Sequence, residues 1–268
     1  MTRNKISITA IINFWDWFSR NCSNFGTYHE NAHLLEELDA QVKRLGSFSW
    51  EIGPGKIKDH LLVISPSGDM DMLQETKTII GNAIPCDGWE YYYAKQPKQW
   101  DLRFNFMTCK GARLEVDAAQ WEYVLLMYED GMFTIIIKAS DLLHLDDNDK
   151  LTATEIVLDG VLGEELRLQS ICEIDVVGEF DGEHIDKASN MRNLAHHIKN
   201  CRVMTFHDFC TRNYTHARRI LSAIRQQSAR TSDRYVRLQR ESGPCREYGY
   251  AMRPDPSVRG VGEVIPGL

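Results

Sequence analysis

A chain of 268 residues, 43% hydrophobic and 26% charged, has the balance of a water-soluble globular protein and can bury one large core or two modest ones. Eighteen glycines and eight prolines are too few for a collagen-like or low-complexity chain. The net charge of −7 disfavours general binding to phosphate backbones, but it is an average over two different regions: residues 201–268 hold twelve Arg, no Lys and six acidic side chains, net +6, while the first 200 residues carry −13.

The first helix is expected over Thr9 to Cys22, where Ile11, Phe14, Trp15, Phe18 and Cys22 recur at steps of three and four and Thr9 is placed to cap. Trp17 widens this face. A docking surface of aromatics is one reading; a buried face is the simpler one, because aromatics dominate core burial. A second helix is expected over Glu30 to Arg44, with a Leu34, Leu35, Leu38 and Val42 stripe and Gly46 at its stop. Phe48, Trp50 and Ile52 alternate as in a strand, broken by Gly53-Pro54-Gly55. Leu61 to Ile64 is a second strand closed by the turn Ser65-Pro66-Ser67-Gly68. A helix over Asp71 to Ile80 and a strand from Gly88-Trp89 to Tyr93 follow.

The order strand, strand, helix, strand then recurs. A hairpin over Phe104–Phe106 and Arg113–Val116 lies between the two units. Trp121 to Tyr128 and Met132 to Ala139 flank Glu129-Asp130-Gly131, a strong hairpin pattern. The acidic loop Asp146-Asp147-Asn148-Asp149 leads into a helix over Thr152 to Gly163, and Ile171 to Val177 is a strand with Cys172, Ile174 and Val176 inward. Helices are expected over Asn190 to Asn200 and Thr205 to Gln226; beyond Ser228 the pattern fades into irregular chain. The fold class is therefore α+β: antiparallel or mixed sheets with helices on one face, in two similar units over 1–100 and 101–200, packed as one domain. A helical segment at 201–228 and an irregular arginine-rich tail at 229–268 complete the division.

Several phrases stand out together: Phe14-Trp15-Asp16-Trp17-Phe18, Glu51-Ile52-Gly53-Pro54-Gly55, Leu62-Val63-Ile64-Ser65, Gly88-Trp89-Glu90, Leu158-Asp159-Gly160-Val161-Leu162-Gly163-Glu164 and Ile174-Asp175-Val176-Val177. This layout resembles a family of uncharacterised bacterial cytosolic α+β proteins of the domain-of-unknown-function type, over about residues 8–200. Some of its members resemble neighbours or fusions of small acidic domains and of candidate immunity proteins. The resemblance implies no catalytic residue, and the arginine-only segment departs from its pattern.

The seven cysteines (Cys22, Cys86, Cys109, Cys172, Cys201, Cys210 and Cys245) are odd in number and hold no CxxC pair, so reduced thiols in a cytosolic protein are expected. Asn13 and Asp16 interrupt the N-terminal apolar stretch, so no secretory signal is expected, and no run reaches membrane-spanning length. His197, Cys201, His207 and Cys210 have the donor types for zinc but not the tight spacing of established motifs. Cys86, in Pro85-Cys86-Asp87-Gly88, is the thiol expected to be most exposed. Gly53-Pro54-Gly55-Lys56 lacks phosphate-loop spacing, Gly160 and Gly163 do not form a dinucleotide fingerprint, and no G-x-S-x-G elbow occurs. Glu164-Glu165 and Asp146-Asp147 read as solvated charge.

No cofactor, metal or catalytic residue is implied. The expectation is a cytoplasmic, non-enzymatic module that binds a basic protein through its acidic surface, in its sharpest form an immunity-type inhibitor of a bacterial toxin. Two alternatives stand beside it. One is association with nucleic acid through Arg218, Arg219, Arg225, Arg230, Arg234 and Arg237; the competing reading of these arginines is docking onto the acidic body. The other is a small cysteine- or zinc-dependent enzyme.

Overall fold

Ile11, Phe14, Trp15 and Phe18, spaced for one helical face, are all buried on α1 (Ile8–Asn21) in the computed structural model, which describes residues 6–25, 31–128, 130–203 and 235–238. Ser7, rather than Thr9, occupies the N-cap position of α1. Helix α2 (Ala32–Leu45) starts at Asn31, whose side chain accepts from the Leu34 N–H. It buries Leu34, Leu35, Leu38, Val42 and Leu45 and stops at Gly46. Strands β1 (Ser49–Pro54) and β2 (His60–Ser65) are antiparallel, with Trp50 opposite Ile64 and Ile52 opposite Leu62. Helix α3 (Leu73–Gly81) then carries the chain to β3 (Trp89–Tyr92), which runs parallel to β2 in the order β1-β2-β3.

The three helices and the Trp50, Ile52, Leu62 and Ile64 face of this sheet enclose one core. The Trp15 indole donates to the Ile79 carbonyl at 2.8 Å, tying α1 to α3. Its ring meets Tyr91 edge-on at 4.8 Å, and Phe18 meets Trp89 at 5.1 Å. Burying each such ring stabilises the fold by about 1.5–3 kcal/mol, more where rings meet edge to face. The aromatic run of the first helix therefore lies in the core.

Among the described residues, strands β4 (Arg103–Met107) and β5 (Arg113–Asp117) pair only with each other. The hairpin β6 (Glu122–Met127) and β7 (Phe133–Lys138) follows, with Tyr123 opposite Ile137 and Val124 opposite Ile136. Helices α4 (Asp147–Leu162) and α5 (Glu164–Ser170) lead to β8 (Ile171–Val177), parallel to β7. A short α6 (Gly182–Ile185), the two-residue β9 (Ser189–Asn190) beside β6, and α7 (Leu194–Val203) close this part. Residues Tyr235–Leu238 form β10, antiparallel to β8, so the sheet order is β10-β8-β7-β6-β9.

The described chain divides into two units. The first holds 6–96 and 105–114; the second holds 97–104, 115–203 and 235–238. Each contains an antiparallel strand pair, a helical crossover and a third strand parallel to the second, so the expected α+β class and the repeated strand-strand-helix-strand order are both present. Among the described residues no helix is long and apolar enough to cross a membrane.

Three local expectations are corrected. Helix α4 begins five residues before Thr152, because Asp146 caps it by accepting from the Asp149 N–H and the acidic run sits favourably at the positive end of the helix dipole. Cys172 is exposed rather than inward: Phe133 pairs with Ile171 and Thr134 with Glu173, so a bulge sets Cys172 aside. Residues 235–238, within the tail expected to be irregular, are a strand. The expected helix over Thr205 to Gln226 lies outside the described residues.

Gly160 has a steric reason: a Cβ there would fall on the Trp100 indole, which packs across the end of α4 where the Lys98 N–H bonds the Gly160 carbonyl at 2.7 Å. Gly160→Ala is expected to lower stability by about 1–3 kcal/mol, as overpacking does. Gly81→Ala, at a position with open space, is expected to stay within about 1 kcal/mol of the parent chain. Urea unfolding of the two variants checks the contrast.

Candidate functional site

The phrases that stand out in the sequence resolve into two polar clamps. In the first unit, Gly88 at φ +76° turns the chain so that Trp89 points into the core and Glu90 points outward. The Glu90 carboxylate accepts from three successive backbone N–H groups, those of Lys56, Ile57 and Lys58, at 2.5, 3.0 and 3.3 Å. Successive N–H groups turned to one point make an anion-binding concavity. Here the anion is the protein's own side chain. Gly55 is required because a Cβ would fall on the Lys58 carbonyl. Burial disfavours the Glu90 charge, but the three donors outweigh it and hold the carboxyl below its ordinary range.

In the second unit, Gly163, at φ +78°, ends α4 and starts α5. This break brings Arg167 back to Asp159 at 2.5 Å and to Glu155 at 3.0 Å. Arg167, Asp159 and Glu164 are all buried. Burial opposes the Arg167 charge; the carboxylates of Asp159, Glu155 and Glu164 overcome it and raise the guanidinium's affinity for its proton. Glu164, read from the sequence as solvated, is thus interior. Its adjacency to the α4–α5 break places it beside the arginine.

Two of the four candidate zinc donors lie among the described residues. His197 and Cys201 do share α7, but the Tyr123 hydroxyl lies 2.5 Å from His197 Nδ1. Burial pushes the Tyr123 phenol up to about 12, and its hydroxyl shares a hydrogen bond with that ring nitrogen. Burial also pushes the Cys201 thiol up, away from the thiolate a metal or nucleophile needs. His207 and Cys210 lie outside the described residues. Cys86 is buried rather than exposed, since its turn tucks it against the first core.

Surface charge is the remaining feature. Residues 97–200 carry twenty acidic and ten basic side chains, against twelve and nine in residues 1–96. Of the carboxylates in the second unit, Asp149, Asp159 and Glu164 are interior; Glu115, Asp130, Asp147, Glu179 and Asp186 are exposed. Strand β10, from the arginine-only segment, pairs with β8 in this unit and sets Arg237 opposite Asp175. Arg218, Arg219, Arg225, Arg230 and Arg234 lie outside the described residues.

Sequence reasoning missed Glu90, Arg167 and Tyr123. The available signals were weak: a Trp-Glu pair after a turn glycine, an Arg eight residues beyond a helical Asp, and a tyrosine in an apolar strand. Comparison of the chain with protein-family models, with curated proteins and with solved structures finds no match.

The Glu90 clamp gives a pH prediction. A carboxyl whose folded pKa lies below its unfolded value contributes stability that is complete above the unfolded pKa and is lost as pH falls through the folded one. Glu90→Gln is therefore expected to unfold at lower urea than the parent chain at pH 7. The gap should close as pH falls below about 4, the ordinary carboxyl range. Urea midpoints across pH 3–7, on the scale of that ordinary range, check this.

Proposed function

We propose that this chain is a cytoplasmic, non-enzymatic binding protein that takes a basic protein partner on the acidic surface of its second unit. In its sharpest form this is an immunity-type role, masking a toxin domain that acts on nucleic acid. Such toxins carry positive charge to hold their substrate, and an acidic inhibitor is the complement. The observation that supports this reading is the concentration of negative charge: two acidic side chains for every basic one over 97–200, with near balance over the first 96 residues.

The disposition of polar groups agrees with it. Glu90, Arg167, Asp159 and Glu164 are engaged in holding loops and helix ends. Exposed carboxylates such as Glu179 and Asp186 carry charge on the surface. Charges of this kind act through long-range attraction, which speeds encounter and falls away with salt. The pairing of β10 with β8 favours docking of the arginine segment on this unit over its use as a nucleic-acid arm.

The test begins with the full chain as bait in its native host and continues with the purified partner. A basic protein retained at about 0.15 M salt and released near 0.5 M is expected, because screening shortens the reach of surface charge. Glu179→Lys with Asp186→Lys should weaken the reconstituted complex about tenfold at the lower salt and flatten its salt dependence. A partner that binds with equal affinity to the charge-reversed chain overturns the proposal, as does binding that is insensitive to salt.

A further inference from the structure

The first unit brings two cysteines, 64 positions apart in the sequence, against each other. Cys22 follows α1, and Cys86 lies in the turn between α3 and β3. One residue holds both backbones: the Trp89 N–H bonds the Cys86 carbonyl at 3.2 Å, and its indole N–H bonds the Cys22 carbonyl at 3.2 Å. The Cys22 thiol donates to the Ser19 carbonyl at 3.4 Å, the Cys86 thiol to the Ile84 carbonyl at 3.9 Å and the Tyr91 hydroxyl to that same carbonyl at 3.2 Å, and the three groups stand near enough that Cys86 strengthens the hold of Cys22 and Tyr91 on their protons. Both are free, Cys22 partly exposed and Cys86 only 7% exposed. Trp89 is itself buried in the ring cluster with Phe18 and Phe25, so the arrangement sits on a rigid base.

We propose that Cys22 and Cys86 are a reversible dithiol–disulfide pair that locks the end of α1 to the turn leading into β3. The oxidant is a small disulfide of the glutathione class. The more exposed Cys22, as thiolate, attacks one sulfur of that disulfide; its S–S bond breaks and one small thiol leaves. Cys86 loses its proton and attacks the Cys22 sulfur of the mixed disulfide, and the second small thiol leaves. Two protein thiols are oxidised, one small disulfide is reduced to two thiols, and a dithiol reductant reverses the exchange. Burial and the nearby Cys86 thiol push the Cys22 thiol up to about 11, so the exchange is slow at neutral pH and quickens as pH rises. The bridge closes a long loop across the unit and so resists its unfolding.

The test uses the reduced, full-length chain incubated with oxidised glutathione at mildly alkaline pH. The expected product is lighter by two hydrogens, with the peptide of Cys22 joined to that of Cys86 in a non-reducing digest. Its thermal midpoint is higher than that of the reduced chain and returns on adding dithiothreitol. Cys86→Ser is expected to stop at a glutathione adduct on Cys22, and Cys22→Ser to leave Cys86 unmodified while folded. The digest of the unsubstituted chain carries the test even where a variant fails to fold. The proposal is overturned if both thiols stay free in the folded chain under conditions that oxidise it in urea. Linkage of Cys22 to any other cysteine overturns it equally.

Discussion

A guanidinium taken out of water must be met by carboxylates in place, and Arg167 meets that requirement only if α4 stops where it does. Asp159 and Glu155 stand on the last turns of α4, Glu164 begins α5, and Gly163 supplies the corner between them. The crossover from β7 to β8 runs through this corner. If the break moved by one residue, Arg167 would face away from Asp159 and a charge would be buried unpaired, which is the costly case. The phrase running from Leu158 to Glu164 is therefore an instruction for a helix corner: Asp159 for the ion pair, Gly160 to admit Trp100, Gly163 for the turn, Glu164 for the second acid.

The first unit solves a similar problem differently. Its loop between β1 and β2 turns three N–H groups to one side, and Glu90 from β3 fills them. An acidic side chain thus does for a loop what it does at a helix N-terminus. The first clamp joins β3 to the loop between β1 and β2, and the second holds the corner between α4 and α5.

Much of the fold was legible in the chain because burial imposes period. The alternation of Trp50 and Ile52, the three- and four-residue steps from Ile11 to Phe18, and the hairpin over Glu129-Asp130-Gly131 each predicted an element whose place the structure confirms. Position within an element was less legible. The start of α4 was hidden because an aspartate run has the composition of a loop, although Asp146 is a cap. Cys172 was assigned inward because period alone cannot reveal a bulge. The polar clamps were hidden for another reason: Glu90 and Lys56 are 34 residues apart, and Arg167 meets Asp159 only across a helix break. Charge, by contrast, was visible in the composition, which sets twenty acidic against ten basic side chains over residues 97–200.

Asp159 and Arg167 act together as a structural clamp, and a double-mutant cycle measures that directly. Asp159→Leu and Arg167→Met, singly and combined, would be compared with the parent chain by urea unfolding at pH 7. Each single change is expected to destabilise by about 3–5 kcal/mol, because it strands the other partner's charge in the interior. The double variant should be well above the sum of the singles in stability, with a coupling of about 2 kcal/mol or more. Single changes of under about 1 kcal/mol that simply add would contradict the clamp, since changes away from a buried network fall in that small range.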